Sequence, residues 1–166
     1  MRPIRPFSSP RHQGWPLMDD RTIQKETQQI TVELSDGTQI DGEVFLRLHE
    51  AHHTGRQKIG DLLNQDLSFI PVRTSKGSVL LNSSQIVVVK IKQEFEKDDL
   101  MTLGRKYAVR VKTVQGKEIV GDIFVNLPEE SSRVKDCLNQ PIRFFPVFQS
   151  TSILYINRQF ILSVQD

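Results

Sequence analysis

The sequence predicts a mainly β protein built as two tandem small five-stranded barrels, each with a short inserted helix. Three observations lead there. First, the chain repeats itself: ITVELSDGTQIDGEVFL (30–46) is matched by VRVKTVQGKEIVGDIFV (109–125), with Gly37/Gly116, Ile40/Ile119 and Gly42/Gly121 at an offset of 79. GDLLNQDLSFIPV (60–72) is matched by KDCLNQPIRFFPV (135–147), and LLNSSQIVVV (80–89) by YINRQFILSV (155–164), both at an offset of 75. Unrelated segments would not keep three blocks in register, so the chain is a duplication. Second, apolar and polar residues alternate with period two in the opening of each copy. Third, each copy carries a mid-strand glycine, Gly42 or Gly121, which marks a bulge or a barrel corner. Five short strands in so small a unit leave apolar faces uncovered unless the sheet curls.

Each copy reads as the same series of elements. Val32 and Leu34 alternate with Glu33 and Ser35, and Asp36-Gly37 supplies the positive-φ residue of a hairpin turn. The return strand runs through Ile40, Val44 and Leu46. A short helix follows and ends at Asn64 or Asn139, where Asn serves as a left-handed residue after a helix end. Asp61 and Asp136 fall at the start of that helix, where a carboxylate caps free N–H groups. Phe69–Val72 and Phe144–Val147 form a third strand, whose proline suits an edge or a bulge. Val79–Leu81 with Ile86–Val89, and Ile153–Ile156 with Ile161–Val164, complete the two sets. The only change of length between copies is four residues, between Gly42 and Asp61.

These elements divide the chain into a tail (1–27), a first repeat (28–92), a charged linker (93–106, including EFEKDDLMTLGRK) and a second repeat (107–166). Four prolines and three arginines in residues 1–18 predict disorder there and interrupt any signal-peptide core. Met18 before Asp19-Asp20 reads as a second translation start. The whole chain carries +2 and that stretch +3, so the remainder is about −1. A body without excess positive charge lacks the simplest footprint of a nucleic-acid binder. One cysteine, Cys137, excludes an internal disulfide and a Cys-rich zinc site, and a helical apolar position makes it a buried hydrophobe. No apolar run reaches the length of a membrane span. A reducing cytoplasm is expected.

With these elements placed, the two copies resemble the Sm-like barrel, a small SH3-like fold. Each copy opens like the first Sm motif, with alternating apolar residues, a turn glycine, and a second glycine five residues later in strand two. The family's last hairpin has Ile-Arg-Gly with an aliphatic residue five positions after that Ile. Here Leu81-Asn82-Ser83 precedes Ile86, and Ile156-Asn157-Arg158 precedes Ile161, with the same spacing. Asp61-x-x-Asn64 and Asp136-x-x-Asn139 are similar to the Asp and Asn of the family's third loop. The combined pattern also resembles an uncharacterised family of bacterial proteins, which implies a bacterial, cytoplasmic origin and no particular activity. The Sm resemblance implies that Asn82, Asn157 and Arg158 are the positions that would meet a ligand. The family's RNA-contacting Arg-Gly pair is Asn-Ser and Asn-Arg here. Turn formation is the preferred role of both asparagines.

Other chemistry falls away on context. His49-Glu50-Ala51-His52-His53 matches H-E-x-x-H, which needs a helix presenting both histidines, a third ligand and a cleft. The segment follows a strand and runs into Thr54-Gly55, so a solvated loop is expected, with metal binding by His49 and His53 as the weaker alternative. Phe69, Phe144, Phe145 and Phe148 could stack bases but fit a strand core better, with Phe145 and Phe148 on opposite faces so that one is exposed. No catalytic triad, phosphate loop or dinucleotide fingerprint is present. The expected function is a non-catalytic binding or scaffolding module without a cofactor. Its partner is another protein or a second copy, joined by edge-strand pairing. Single-stranded RNA is the second reading, for which Arg110, Lys112, Arg143 and Arg158 would have to form a basic stripe. No membrane partner is expected.

Overall fold

The computed structural model describes residues 25–48 and 55–166. Residues 1–24 of the expected tail, and the histidines of the H-E-x-x-H segment, lie outside the described residues. The first repeat comprises β1 (Lys25–Leu34), β2 (Gln39–Arg47), α1 (Ile59–Leu63), β3 (Phe69–Thr74), β4 (Gly77–Asn82) and β5 (Ile86–Lys92). The connecting segment holds the short helix α2 (Gln93–Glu96) and a 3-10 turn at Asp99–Thr102. The second repeat comprises β6 (Arg105–Thr113), β7 (Glu118–Val125), α3 (Val134–Leu138), β8 (Phe144–Phe148), β9 (Ser152–Asn157) and β10 (Ile161–Gln165). β1 begins three residues inside the expected tail, and β6 two residues inside the expected linker.

The same pairings occur in both copies. Ile30 faces Gly42 as Val109 faces Gly121; Glu43 faces Arg73 as Asp122 faces Phe148; Phe69 faces Asn82 as Phe144 faces Asn157. Even the irregularity repeats: the β1–β5 ladder skips Val87, and the β6–β10 ladder skips Leu162. The two hairpin turns use Gly37 and Gly116 at φ of 86° and 82°, a conformation that costs a Cβ-bearing residue about 1–2 kcal/mol.

Two separate closed barrels are not what forms. All ten strands join one antiparallel sheet in the order β10-β6-β7-β8-β9-β5-β1-β2-β3-β4. The reason is the count of edges. A strand has two hydrogen-bonding edges, and β5 spends one on β1 and the other on β9. Nothing remains on β5 to close against β4. Likewise β9 is taken by β8 and β5, so β10 cannot close the second repeat. The sheet stays open, with β4 and β10 as its two edges.

The glycines in the second strands permit close approach between strands. A Cβ on Gly42 would sit 2.7 Å from the Arg73 carbonyl oxygen, and one on Gly121 would sit 2.6 Å from that of Phe148. These are the points where β2 passes to β3 and β7 to β8, each through a single paired position. The β1–β2 ladder runs through Gly42 and the β6–β7 ladder through Gly121 without a shift of register, so neither glycine marks a bulge.

The cores are not confined to one repeat each. One cluster unites Val32, Val44, Leu46, Ile86 and Val89 with Phe144, Phe148, Ile153 and Tyr155 of the second repeat. The other unites Val109, Val111, Ile123 and Val147 with Val87 and Val88 of the first. Strand β9 serves both: Ile153 and Tyr155 point into one cluster, Leu154 and Ile156 into the other. Phe145 and Phe148 are both buried, so the expected exposure of one is corrected. β8 lies between two cores, so neither of its faces is left to solvent.

Candidate functional site

The junction between repeats is the most elaborate polar arrangement among the described residues. Strands β5 and β9 pair over Val88–Ile156, Val89–Tyr155, Lys90–Leu154, Ile91–Ile153 and Lys92–Ser152. Asn64, at the end of α1, crosses this junction. Its Oδ1 accepts from the backbone N–H groups of Arg143 and Phe144, both at 2.9 Å, and its Nδ2 donates to the Phe144 carbonyl at 3.2 Å. Arg143 Nη1 donates to Ser83 Oγ at 2.9 Å in the opposite direction.

Asn157 is buried with both polar atoms engaged: its Oδ1 accepts from the Gln159 N–H at 3.1 Å, and its Nδ2 donates to the Ile86 carbonyl at 2.8 Å across the junction. Asn82, at the matching place in the first repeat, accepts from the Ser84 N–H at 3.0 Å and the Ser84 hydroxyl at 2.8 Å. Its Nδ2 has no partner among the described residues. Both asparagines cap a 3-10 turn, as turn chemistry requires, but in extended rather than left-handed backbone (φ of −65° and −70°). Asn64 and Asn139 also have φ near −90°, which corrects their expected left-handed conformation. Their side chains instead donate back to the carbonyls of Gly60 and Lys135.

Arg158 is exposed and donates to the Gln140 carbonyl at 2.9 Å. With Asn157, Arg143 and Asn64 it lines a cleft of about 560 Å³. Asn82 does not line that cleft, so the three residues singled out from sequence are not gathered in one place. Arg110 and Lys112 lie on β6 and do not line it either.

A second polar contact ties the connecting segment to both repeats. Glu96, buried at the end of α2, accepts from the Tyr155 hydroxyl at 2.6 Å and from the Gly60 N–H at 3.2 Å. Burial, then the Glu96 charge, raises the Tyr155 phenol far above its ordinary value. Nothing in a run of charges such as EFEKDD distinguishes this one carboxylate in the sequence. Asp61 accepts from the Lys58 N–H at 3.0 Å, which is the capping role expected of it. Cys137 is half-buried, and burial pushes its thiol up, away from thiolate chemistry. No group of three or more potential metal ligands occurs among the described residues. No helix among them is long and apolar enough to cross a membrane.

Exposed apolar side chains lie at the sheet edges as well as in the connecting segment, where Leu100 and Phe95 are exposed. On β4, Val79 and Leu80 are exposed; beside them on β3 is exposed Phe69; on β10, Leu162 is exposed. Sequence reasoning placed these residues on strands and Phe69 in a core; Phe69 is exposed, which corrects that expectation. A comparison of each with its buried repeat counterpart is the signal that finds them. No protein-family model, curated protein or solved structure matches this chain.

Proposed function

We propose that this chain is a non-catalytic binding or scaffolding module, made of two Sm-like or SH3-like units, that acts through protein–protein contacts at its sheet edges. One observation carries the reading: β4 and β10 are open edges flanked by exposed apolar side chains. An edge strand presents a row of N–H and C=O groups that can take a further strand, and alternate side chains add selectivity. The same type of edge already joins the two units through β5 and β9. A half-buried lone cysteine suits a reducing cytoplasm.

The test is affinity capture followed by cross-linking and peptide mapping, with the intact chain, Leu80→Pro and Leu162→Pro. Proline removes an edge donor without adding charge. Partners should cross-link beside β4 or β10 and be lost from the corresponding variant. Partners that map elsewhere and survive both substitutions would overturn the proposal.

A second reading, single-stranded RNA, draws on the cleft where Arg143 and Arg158 lie beside Asn64 and Asn157. The body's charge of about −1 and the engagement of Asn157 within the fold weigh against it. Fluorescence anisotropy with short uridine- or adenine-rich RNA at physiological salt separates the two. Tight binding lost in Arg158→Ala would favour RNA.

A further inference from the structure

Glu96 is the one charged side chain buried among the described residues, at 3% exposed. Its Oε1 accepts from the Tyr155 hydroxyl at 2.6 Å and the Gly60 N–H at 3.2 Å. Its Oε2 is the one buried side-chain polar atom with no hydrogen-bond partner among the described residues. A buried acceptor without a donor is costly, and native folds keep few of them unless a ligand, an ion or water fills the place. We infer that the cleft beside Glu96 binds an alkylammonium group, the chemistry of a lysine side chain or of a free amine, with Oε2 as its anionic partner.

The residues that hold this carboxylate depart from the repeat. Tyr155 has Leu80 as its counterpart, which offers no hydroxyl, and Gly60 has Lys135. A Cβ at Gly60 would sit 2.7 Å from the Tyr155 ring and 2.8 Å from its hydroxyl oxygen, so the glycine is what lets the phenol reach Glu96. Glu96 itself lies in the connecting segment, which is not duplicated. The arrangement is therefore made once in the chain, by residues that the second copy of the pattern does not supply.

The cleft, of about 470 Å³, is lined by Lys58 and Asp61 from the first repeat and by Phe95, Glu96, Asp98 and Leu100 from the connecting segment. No residue of β4 or β10 lines it, so the site is separate from the sheet edges. Its own cations are engaged elsewhere. Arg56 donates to Glu26 at 3.1 Å, to Gln28 Oε1 at 3.0 Å and to the Phe95 carbonyl at 2.7 Å. Lys58 pairs with Asp98, and Lys97 is exposed. Glu96 and Asp61 are left without an ion-pair partner among the described residues.

The walls select the class of cation. A metal ion needs several ligands around it, and no group of three His, Cys, Asp or Glu side chains occurs among the described residues. One charged oxygen beside apolar surface suits an N–H donor carried on a hydrocarbon stem. Phe95 and Leu100 supply apolar surface, at 47% and 74% exposed. A second cleft, of about 400 Å³, shares Lys58, Asp61 and Leu100 with the first and adds Met101, Ile142 and Pro146, so a stem anchored at Glu96 can continue into it. Oε2 is not open to solvent in this arrangement, so entry requires an exposed side chain of the wall, Phe95 or Leu100, to turn. That favours a compact ammonium over a broad, planar guanidinium.

The test titrates the full chain with n-butylammonium chloride at fixed ionic strength, followed by heteronuclear NMR and calorimetry. Saturable binding should shift the amide signals of Gly60 and of residues 95–100 and leave those of Arg143 and Arg158 in place. Sodium, which has the charge alone, and n-butanol, which has the stem alone, should each bind more weakly by roughly tenfold or more. Glu96→Gln keeps an oxygen for Tyr155 and Gly60 but turns an N–H toward the ligand, so affinity should fall roughly ten- to a hundred-fold with the fold retained. Leu100→Lys, at an exposed position, brings a rival ammonium to the cleft and should weaken binding about tenfold with an unchanged melting temperature. A capped peptide with one central lysine separates the two sources: tighter binding than the amine assigns the site to a partner's lysine, weaker binding to a small molecule. The proposal is overturned by no saturable shift with either probe, or by equal binding of sodium or n-butanol. It is overturned equally by affinity unchanged in Glu96→Gln or, should that variant not fold, in Leu100→Lys.

Discussion

Asn64 holds both backbone groups of Phe144, accepting from its N–H at 2.9 Å and donating to its carbonyl at 3.2 Å. A side-chain amide has the same donor and acceptor as a peptide group, so Asn64 stands in for a strand neighbour along β8. The contact joins residues 80 positions apart, in different repeats. Replacing Asn64 by Ala would strand the N–H groups of Arg143 and Phe144 and one carbonyl near a buried core. The expected loss is about 2–4 kcal/mol, read as a lowered urea midpoint with an unchanged slope. Asn139→Ala, whose side chain makes one hydrogen bond among the described residues, to the Lys135 carbonyl, should cost less than about 0.5 kcal/mol.

The glycines of β2 and β7 support a matched pair of substitutions. A Cβ at Gly42 would press on Val72 Cγ1 at 2.6 Å and on the Arg73 carbonyl oxygen at 2.7 Å. At Gly121 it would meet the Phe148 carbonyl oxygen at 2.6 Å and Val147 Cγ1 at 2.7 Å. Backbone oxygen cannot rotate aside, so the strands must separate where β2 passes to β3 and β7 to β8. Gly42→Ala and Gly121→Ala should each destabilise by about 1–3 kcal/mol in chemical denaturation.

The sequence made the repeat, the strands and their hairpin turns legible, because each leaves a local mark: a block in register, a period of two, a turn glycine. It did not reveal that both repeats share one sheet. Tyr155 and Leu80 are both apolar enough for a core, and so are Phe144 and Phe69. Only the pairing of β5 with β9 decides which member of each pair is buried. The asparagines were legible as turn residues, and Asn82 and Asn157 do cap turns. The long-range roles of Asn64 and Asn157 depend on which strand lies alongside, and no spacing in the chain encodes that. Glu96 was hidden for a similar reason. A carboxylate in a charged segment is ordinarily solvated, and only the fold brings Tyr155 and Gly60 to it.

Tyr155 offers a pH test. Burial and then the neighbouring Glu96 carboxylate raise its phenol above the ordinary 10.0. A folded-state value above the unfolded one means the stability from this group is complete below pH 10 and is lost progressively as pH rises beyond it. In spectrophotometric titration, one tyrosine of the native chain should therefore ionise only as the protein unfolds in alkali. Tyr155→Phe should lack that step and lose less stability between pH 9 and 11 than the unaltered chain (roughly one unit either side of the phenol's ordinary value). A Tyr155 that titrates freely in the folded protein would show that the Glu96 contact does not hold in solution.

The contrast between Phe144 and Phe69 bears on whether the internal junction is a true core. Both are the first residue of the third strand in their repeats, and both face an asparagine across the ladder. Removing the Phe144 ring would empty a cavity shared by the two repeats, among Val44, Leu46, Ile153 and Tyr155. The expected cost is about 3–5 kcal/mol. Phe69→Ala should cost less than about 1 kcal/mol because more than half of that residue is exposed. Equal losses at the two positions, measured by denaturant titration at matched concentration, would mean that the repeats do not share a core. Each would then have to be stable on its own, contrary to the placement of Phe144 and Tyr155 inside the first repeat's hydrophobic cluster.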